Sequence, residues 1–160
     1  MKQKAADKLF YLAYTDIMTG THNRDAYEEY IKKLGKKDIR LDNMSVIELQ
    51  LDNLNEIKYV MGNRTADESV RLTASCIKRT LGERADIYRL SECEFICIAD
   101  TNIIPYVSEL YDLIGFDSRD KKIPLSVLIG YMRFDKKKHE NIYELIKDCD
   151  RQLIKERDRA

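Results

Sequence analysis

Apolar positions recur along the chain in runs whose period changes, and the changes mark its elements. Ala6, Leu9, Phe10 and Ala13 repeat at helical spacing, so the chain opens on a helix. Asn23 is an N-cap residue type, and Ala26, Tyr27, Tyr30, Ile31 and Leu34 form one face of a second helix that Gly35 closes. Residues 36–43 read as polar loop. From Ser45 to Asp52 the period drops to two, with Ile47, Leu49 and Leu51 on one face and Glu48, Gln50 and Asp52 on the other. That alternation predicts a strand with one buried and one wet face. A short helical piece over 53–60 and a turn at Gly62 follow. Thr65 then heads a longer helix, with Glu68 completing a capping box and Val70, Thr73, Ala74, Ile77 and Leu81 as its apolar stripe.

Beyond Gly82, Ile87 to Leu90 and Phe95 to Ala99 read as two strands joined tightly around Ser91 to Cys93. Pro105 suits the first turn of a helix carrying Val107, Leu110, Tyr111 and Ile114. Leu125 to Met132 is a further strand, and Ile142, Leu145, Ile146, Cys149 and Leu153 mark a last helix. Strands separated by helices, with one hairpin in the middle, argue for an α/β or α+β sandwich on a mixed sheet. A ferredoxin-like β-α-β-β-α-β core is the economical topology.

Composition narrows the function classes. The 160 residues carry 28 basic and 28 acidic side chains, so the formal net charge is zero and gives no overall pull toward nucleic acid or an anionic membrane. The six glycines are dispersed, which leaves no room for a Walker loop or a dinucleotide fingerprint. No signal-peptide core or membrane-length apolar run is present, so a cytoplasmic setting is expected. Cys76, Cys93, Cys97 and Cys149 make no zinc spacing with His22 and His139. Cys93 and Cys97 fall in a strand-like run that separates them by roughly 13 Å, too far for a disulfide, and free thiols are expected.

Taken by themselves, few residues suggest chemistry. His22 and His139 are expected to be solvated or capping, and the basic run from Arg133 to His139 to be a solvated loop. Glu48, Gln50 and Asp52, followed by Asn53 and Asn55, line up near a strand end. Their oxygens could hold Mg²⁺ with a second carboxylate from Glu92 or Glu94, although a wet sheet face is the simpler expectation.

One stretch is more specific. Leu12 to Arg24, with Asp16, Thr19, Gly20, Asn23 and Arg24 in register, resembles the D-x-L-T-G-L-x-N-R opening of GGDEF domains. Gln50 to Asn55 then occupies the family's D-x-D-x-F-K segment, and Met61 to Asp67 its F-G-H-x-x-G-D segment. Arg89 to Phe95 lies on R-x-G-G-D/E-E-F, and Leu128-Ile129-Gly130 parallels a late S-I-G strand. GGDEF domains are diguanylate cyclases, which condense two GTP into cyclic di-GMP. The resemblance implies a nucleotidyl-cyclase-like fold with a five-stranded, mixed and mostly antiparallel sheet around the ferredoxin-like core. It divides the chain into a connector helix over 1–15 and a domain over 16–160, with simple packing of the opening helix on the domain as the alternative.

The same resemblance implies a disabled site. A metal-binding aspartate is replaced by Gln50, and the signature's metal-linked acid by Cys93, whose neutral thiol is a poor ligand for hard Mg²⁺. Ser91 and Glu92 fill the paired-glycine positions, which the family uses for close backbone approach and positive φ. Lys58 stands at the guanine-reading asparagine, and Asn55 at a phosphate-contacting lysine. The product-inhibition motif R-x-x-D would run from Gly82 to Ala85, where neither end matches. No catalytic residue is therefore expected among Gln50, Ser91, Glu92, Cys93 and Glu94. Asp67, Asn63 and Arg157 are residual nucleotide-binding candidates; Glu94 and Asp52 are weak metal candidates. No cofactor is expected, with Mg²⁺ implied only if nucleotide binding survives. The expected role is regulatory, structural or dimerising, through self-association, a protein partner or an attached sensor or phosphodiesterase domain. A cyclase, or a sensor that binds GTP, is the alternative.

Overall fold

The computed structural model describes residues 1–159; Ala160, the last residue of the terminal stretch, lies outside them. α1 (Lys2–Tyr14) is followed by α2 (Arg24–Leu34), β1 (Ser45–Leu51), α3 (Leu54–Met61) and α4 (Asn63–Leu81). The hairpin β2 (Asp86–Ser91) and β3 (Glu94–Ala99), a 3₁₀ turn over Ile104–Tyr106, α5 (Val107–Asp120), β4 (Val127–Arg133) and α6 (Ile142–Arg159) complete the order. The sheet runs β2-β3-β1-β4, which is the ferredoxin-like arrangement.

Among the described residues the sheet has four strands rather than five, and every ladder in it is antiparallel rather than mixed. Further pairing is confined to single bridges, Thr15 with His22 and His22 in parallel with Tyr88. The chain from 15 to 23 folds back on itself in a tight turn and cannot extend along β2.

Helices cover both faces of the sheet. Ile47, Leu49 and Leu51 pack with Phe95, Cys97 and Ile129 beneath α3, α4 and α5, as the alternation predicts. The opposite face is not wet. Val46, Tyr88, Ile96 and Ile98 lie there under Ile31 and Leu34 of α2 and Ile142, Leu145 and Cys149 of α6. Gly130 makes this possible: a Cβ there would sit 3.0 Å from the Cys149 carbonyl oxygen and 3.1 Å from the Leu153 Cβ. Its bare backbone lets α6 lie flat across β1 and β4. Glu48, opposite Gly130 in the register, is buried with only 7% of its surface exposed.

Two helix ends differ from expectation. Asn23 caps α2 as predicted, its side chain accepting from the Ala26 N–H at 3.0 Å. The capping box at Thr65 does not form, because α4 already begins at Asn63, after Gly62 turns the chain at φ 95°. Thr65 is inside the first turn and its hydroxyl donates to the Met61 carbonyl at 3.3 Å. α1 packs little of its apolar stripe on the domain: Leu9 and Phe10 remain 68% and 67% exposed. Among the described residues no helix is long and apolar enough to cross a membrane.

Candidate functional site

The end of the sheet where β1 finishes and the β2–β3 hairpin turns collects most of the positions singled out in the sequence. Gln50 pairs with Glu94 across β1 and β3, and the Leu51 N–H donates to the Cys93 carbonyl at 2.8 Å. Gln50, Cys93 and Glu94 are thus brought together. Cys93 sits in the turn between the strands, not within a strand, with its sulfur 3.9 Å from the Ser91 hydroxyl. All four cysteines are free thiols.

The hairpin tip turns without any residue at positive φ; among the described residues only Gly20, Gly62 and Lys122 adopt that region. The backbone itself therefore makes no demand for glycine at 91 and 92, and Ser91 and Glu92 are accommodated without strain. What they change is the surface of the site. Glu92 forms an ion pair with Lys58 on α3, so two positions that depart from the family pattern are joined to each other. The Lys58 ammonium beside it holds the Glu92 carboxyl below its ordinary range.

A second contact of the same kind spans the far side. Arg157, near the end of α6, donates to the Gln50 side-chain oxygen. Asn53 is committed as well, its amide donating to the Pro124 carbonyl at 2.6 Å and accepting from the Ser126 N–H at 2.8 Å. Asn63 and Asp67 lie one turn apart on α4, and among the described residues no hydrogen bond or ion pair joins them to the hairpin. Asp52 is exposed just beyond β1.

The donor set does not suit a divalent cation. Gln50 brings a neutral oxygen already bonded to a guanidinium, and Cys93 brings sulfur. Among the described residues, no group of three or more His, Cys, Asp or Glu is placed to hold a metal ion. Glu94 lies close enough to the buried Glu48 to act on it: the Glu48 carboxyl is pushed up to about 8 by burial first, then by Asp150 and Glu94. One Glu48 oxygen has no hydrogen-bond partner.

The D-x-x-T-G loop shows what sequence reasoning left without a role. Asp16 accepts from the Thr19 N–H at 3.1 Å and the Thr19 hydroxyl at 2.5 Å, while Gly20 closes the turn at φ 73°. Arg89 donates to both Asp16 oxygens at 3.2 Å and, through its other terminal nitrogen, to the Glu92 carbonyl at 3.1 Å. Arg89 thereby ties the opening loop to the hairpin tip. Arg24 adds a bond to the Leu90 carbonyl at 3.2 Å. Pairing of these motif residues was the available signal: the acid at 16 and the base at 89 both match the family pattern.

At the product-inhibition position, Gly82 ends α4 and its N–H donates to the Lys78 carbonyl at 2.9 Å. A Cβ there would fall 2.4 Å from that same oxygen. An arginine has no room on this backbone. His22 lies in the opening loop, its carbonyl accepting from the Arg89 N–H at 2.8 Å and its exposed ring tilted against Tyr88 at 5.1 Å, while His139 at the far end of the sheet is buried rather than solvated, 3% exposed.

The fold and these motifs agree with comparison to known proteins. A family model described as diguanylate cyclase, GGDEF domain, matches residues 13–160, and the chain belongs to that family. Its fold is shared by the coiled coil and GGDEF domain of DgcB from Caulobacter crescentus in complex with c-di-GMP, at a TM-score of 0.80 and 16% identity, covering 95% of this chain and 84% of that one. The S helix-GGDEF-EAL portion of Vibrio cholerae LapD, bound to c-di-GMP, matches at 0.76 and 22% identity over 98% of this chain and 37% of its own. Diguanylate cyclase SiaD from Pseudomonas aeruginosa, in complex with its activator SiaC, matches at 0.75 and 15% identity, covering 99% and 65%. No individual curated protein sequence matches.

Proposed function

We propose that the chain is a catalytically inactive GGDEF domain with a regulatory, structural or dimerising role in cyclic di-GMP signalling. The observation that carries this reading is the pair of side-chain bridges, Lys58 to Glu92 and Arg157 to Gln50. Each joins positions that the family uses for guanine, phosphate or metal, and each satisfies a polar group that a nucleotide or ion would otherwise engage. Phosphoryl transfer needs charge neutralisation at the triphosphate. Here a carboxylate at 92 and a neutral amide at 50 work against it. Incubation with GTP and Mg²⁺ or Mn²⁺ should give no cyclic di-GMP above a Glu94→Gln control; product above that level defeats the proposal. A sensor that binds GTP without turnover has Asp67 and Glu94 as its only retained support, and calorimetry with GTP and metal should show no heat.

In this reading residues 1–15, which hold α1, are a connector whose exposed Leu9 and Phe10 pair with another helix, in self-association or in contact with an attached sensor or phosphodiesterase domain. Among the similar structures, LapD carries an attached EAL domain and SiaD is in complex with its activator SiaC. Four free thiols and a GTP-linked family support a cytoplasmic setting.

A further inference from the structure

At the opposite end of the sheet, two basic segments far apart in sequence meet. Lys32, Lys33, Lys36, Lys37 and Arg40 precede β1, and Arg133, Lys136, Lys137 and Lys138 lie at and beyond the end of β4. Within 32–42 and 133–140 the only acids are Asp38, Asp42, Asp135 and Glu140, so a chain of zero net charge has a cationic pole. The register places Ser45 beside Arg133, and the Phe134 N–H donates to the Met44 carbonyl at 2.8 Å, which fixes the two segments side by side.

Against the second segment is a recess of about 580 Å³, to which the first contributes Asp42. Met132 and Phe134, both half-buried, supply its apolar lining; Arg133, Lys136 and Lys138 stand exposed around it, and Asp42 and Asp135 are its two acids, the Asp135 carboxylate already accepting from the Lys137 N–H. The lysine loop has a defined shape. The Asp135 N–H donates to His139 Nδ1 at 3.0 Å, so the ring's proton is on Nε2, which donates to Asp148 at 2.9 Å. The Lys138 and His139 N–H groups donate to the Asp135 carbonyl at 2.8 and 2.7 Å, and the Lys137 N–H to its carboxylate at 2.9 Å. A buried histidine thus anchors a turn that displays three consecutive lysines to solvent.

We propose that this recess is a docking site for an acidic protein segment carrying one apolar side chain. Carboxylates would meet Arg133, Lys136 and Lys138, and the apolar side chain would enter against Met132 and Phe134. Concavity favours a peptide over a bilayer, which presents a flat surface. The one aromatic lies half-buried against His139 at 5.7 Å and offers no platform on which bases could stack, which disfavours RNA. The inference does not depend on the loss of activity proposed above.

The test is an NMR titration of the ¹⁵N-labelled chain with a short peptide of glutamates and glycines around one central leucine. Saturable shifts are expected in residues 36–42 and 132–139, weakening several-fold between about 0.05 and 0.15 M salt. Replacing the leucine by glycine should weaken binding about tenfold. K136E/K138E should abolish binding with the thermal midpoint unchanged; should that variant be less stable, K136Q/K138Q should still weaken binding. Absence of saturable shifts up to about 1 mM peptide overturns the proposal. So does tighter binding of phosphatidylglycerol vesicles or of a short single-stranded RNA through the same residues.

Discussion

The loop from Asp16 to Arg24 and the tip of the β2–β3 hairpin are neighbours joined through Arg89, yet their side chains are used differently. In the loop, Asp16, Thr19, Gly20, Asn23 and Arg24 agree with the family pattern, and the polar ones are bonded to backbone or to Arg89. At the tip, the substituted residues bond to other substituted residues or to a helix end. The loop is held by what folding needs, a left-handed glycine and a partly buried ion pair. The tip's backbone makes no demand on the side chains at 91 and 92, so these can change wherever a replacement finds a partner.

The largest expected effect lies in the loop. Asp16→Ala leaves the Arg89 guanidinium, mostly buried, without its carboxylate, and should cost about 3 kcal/mol in urea unfolding. A loss near zero would erase the distinction between the two regions.

Glu48→Gln comes next, in β1 beneath α6. Folding raises this carboxyl from its ordinary 4.5 to about 8, so the unfolded chain releases its proton first as pH rises. Stability is therefore unaffected by this group below pH 4.5, declines by up to about 1.4 kcal/mol per pH unit toward pH 8, and levels off above it. The glutamine variant should flatten that decline in thermal melts across this range.

At the tip the expected effects are smaller. A double-mutant cycle on Lys58→Ala and Glu92→Ala should give a coupling below about 1 kcal/mol, because Glu92 is 60% exposed and water screens the pair. Smallest of all is Cys93→Asp, which should yield no cyclase activity, since Gln50, Ser91, Glu92 and Lys58 stay as they are; cyclic di-GMP formation by that variant would show a functional tip.

Much of the fold was legible because it is local. Periodicity placed the helices and strands, and the 47–49–51 face packs as the alternation implies. What escaped was set by distant residues. Glu48 looked like part of a wet face, and only Gly130, 82 positions later, lets α6 cover it. The capping box failed because Gly62 had already started α4. For the candidate site, the positions were legible from the resemblance, while the pairings were not. Lys58 meets Glu92 across 34 positions and Arg157 meets Gln50 across 107. An acid and a base replacing neutral residues at two positions of one motif set is the trace such a pairing leaves in a sequence.

The hairpin's negative-φ turn has a consequence for what its sequence can tolerate. A turn that needs glycine confines its own sequence, since every replacement is charged to the backbone. This one imposes no such toll, so nearly any L-residue can stand at 91 and 92 with the strands unmoved. Glycine restored there would add conformational freedom to the unfolded chain and return no shape that the hairpin lacks.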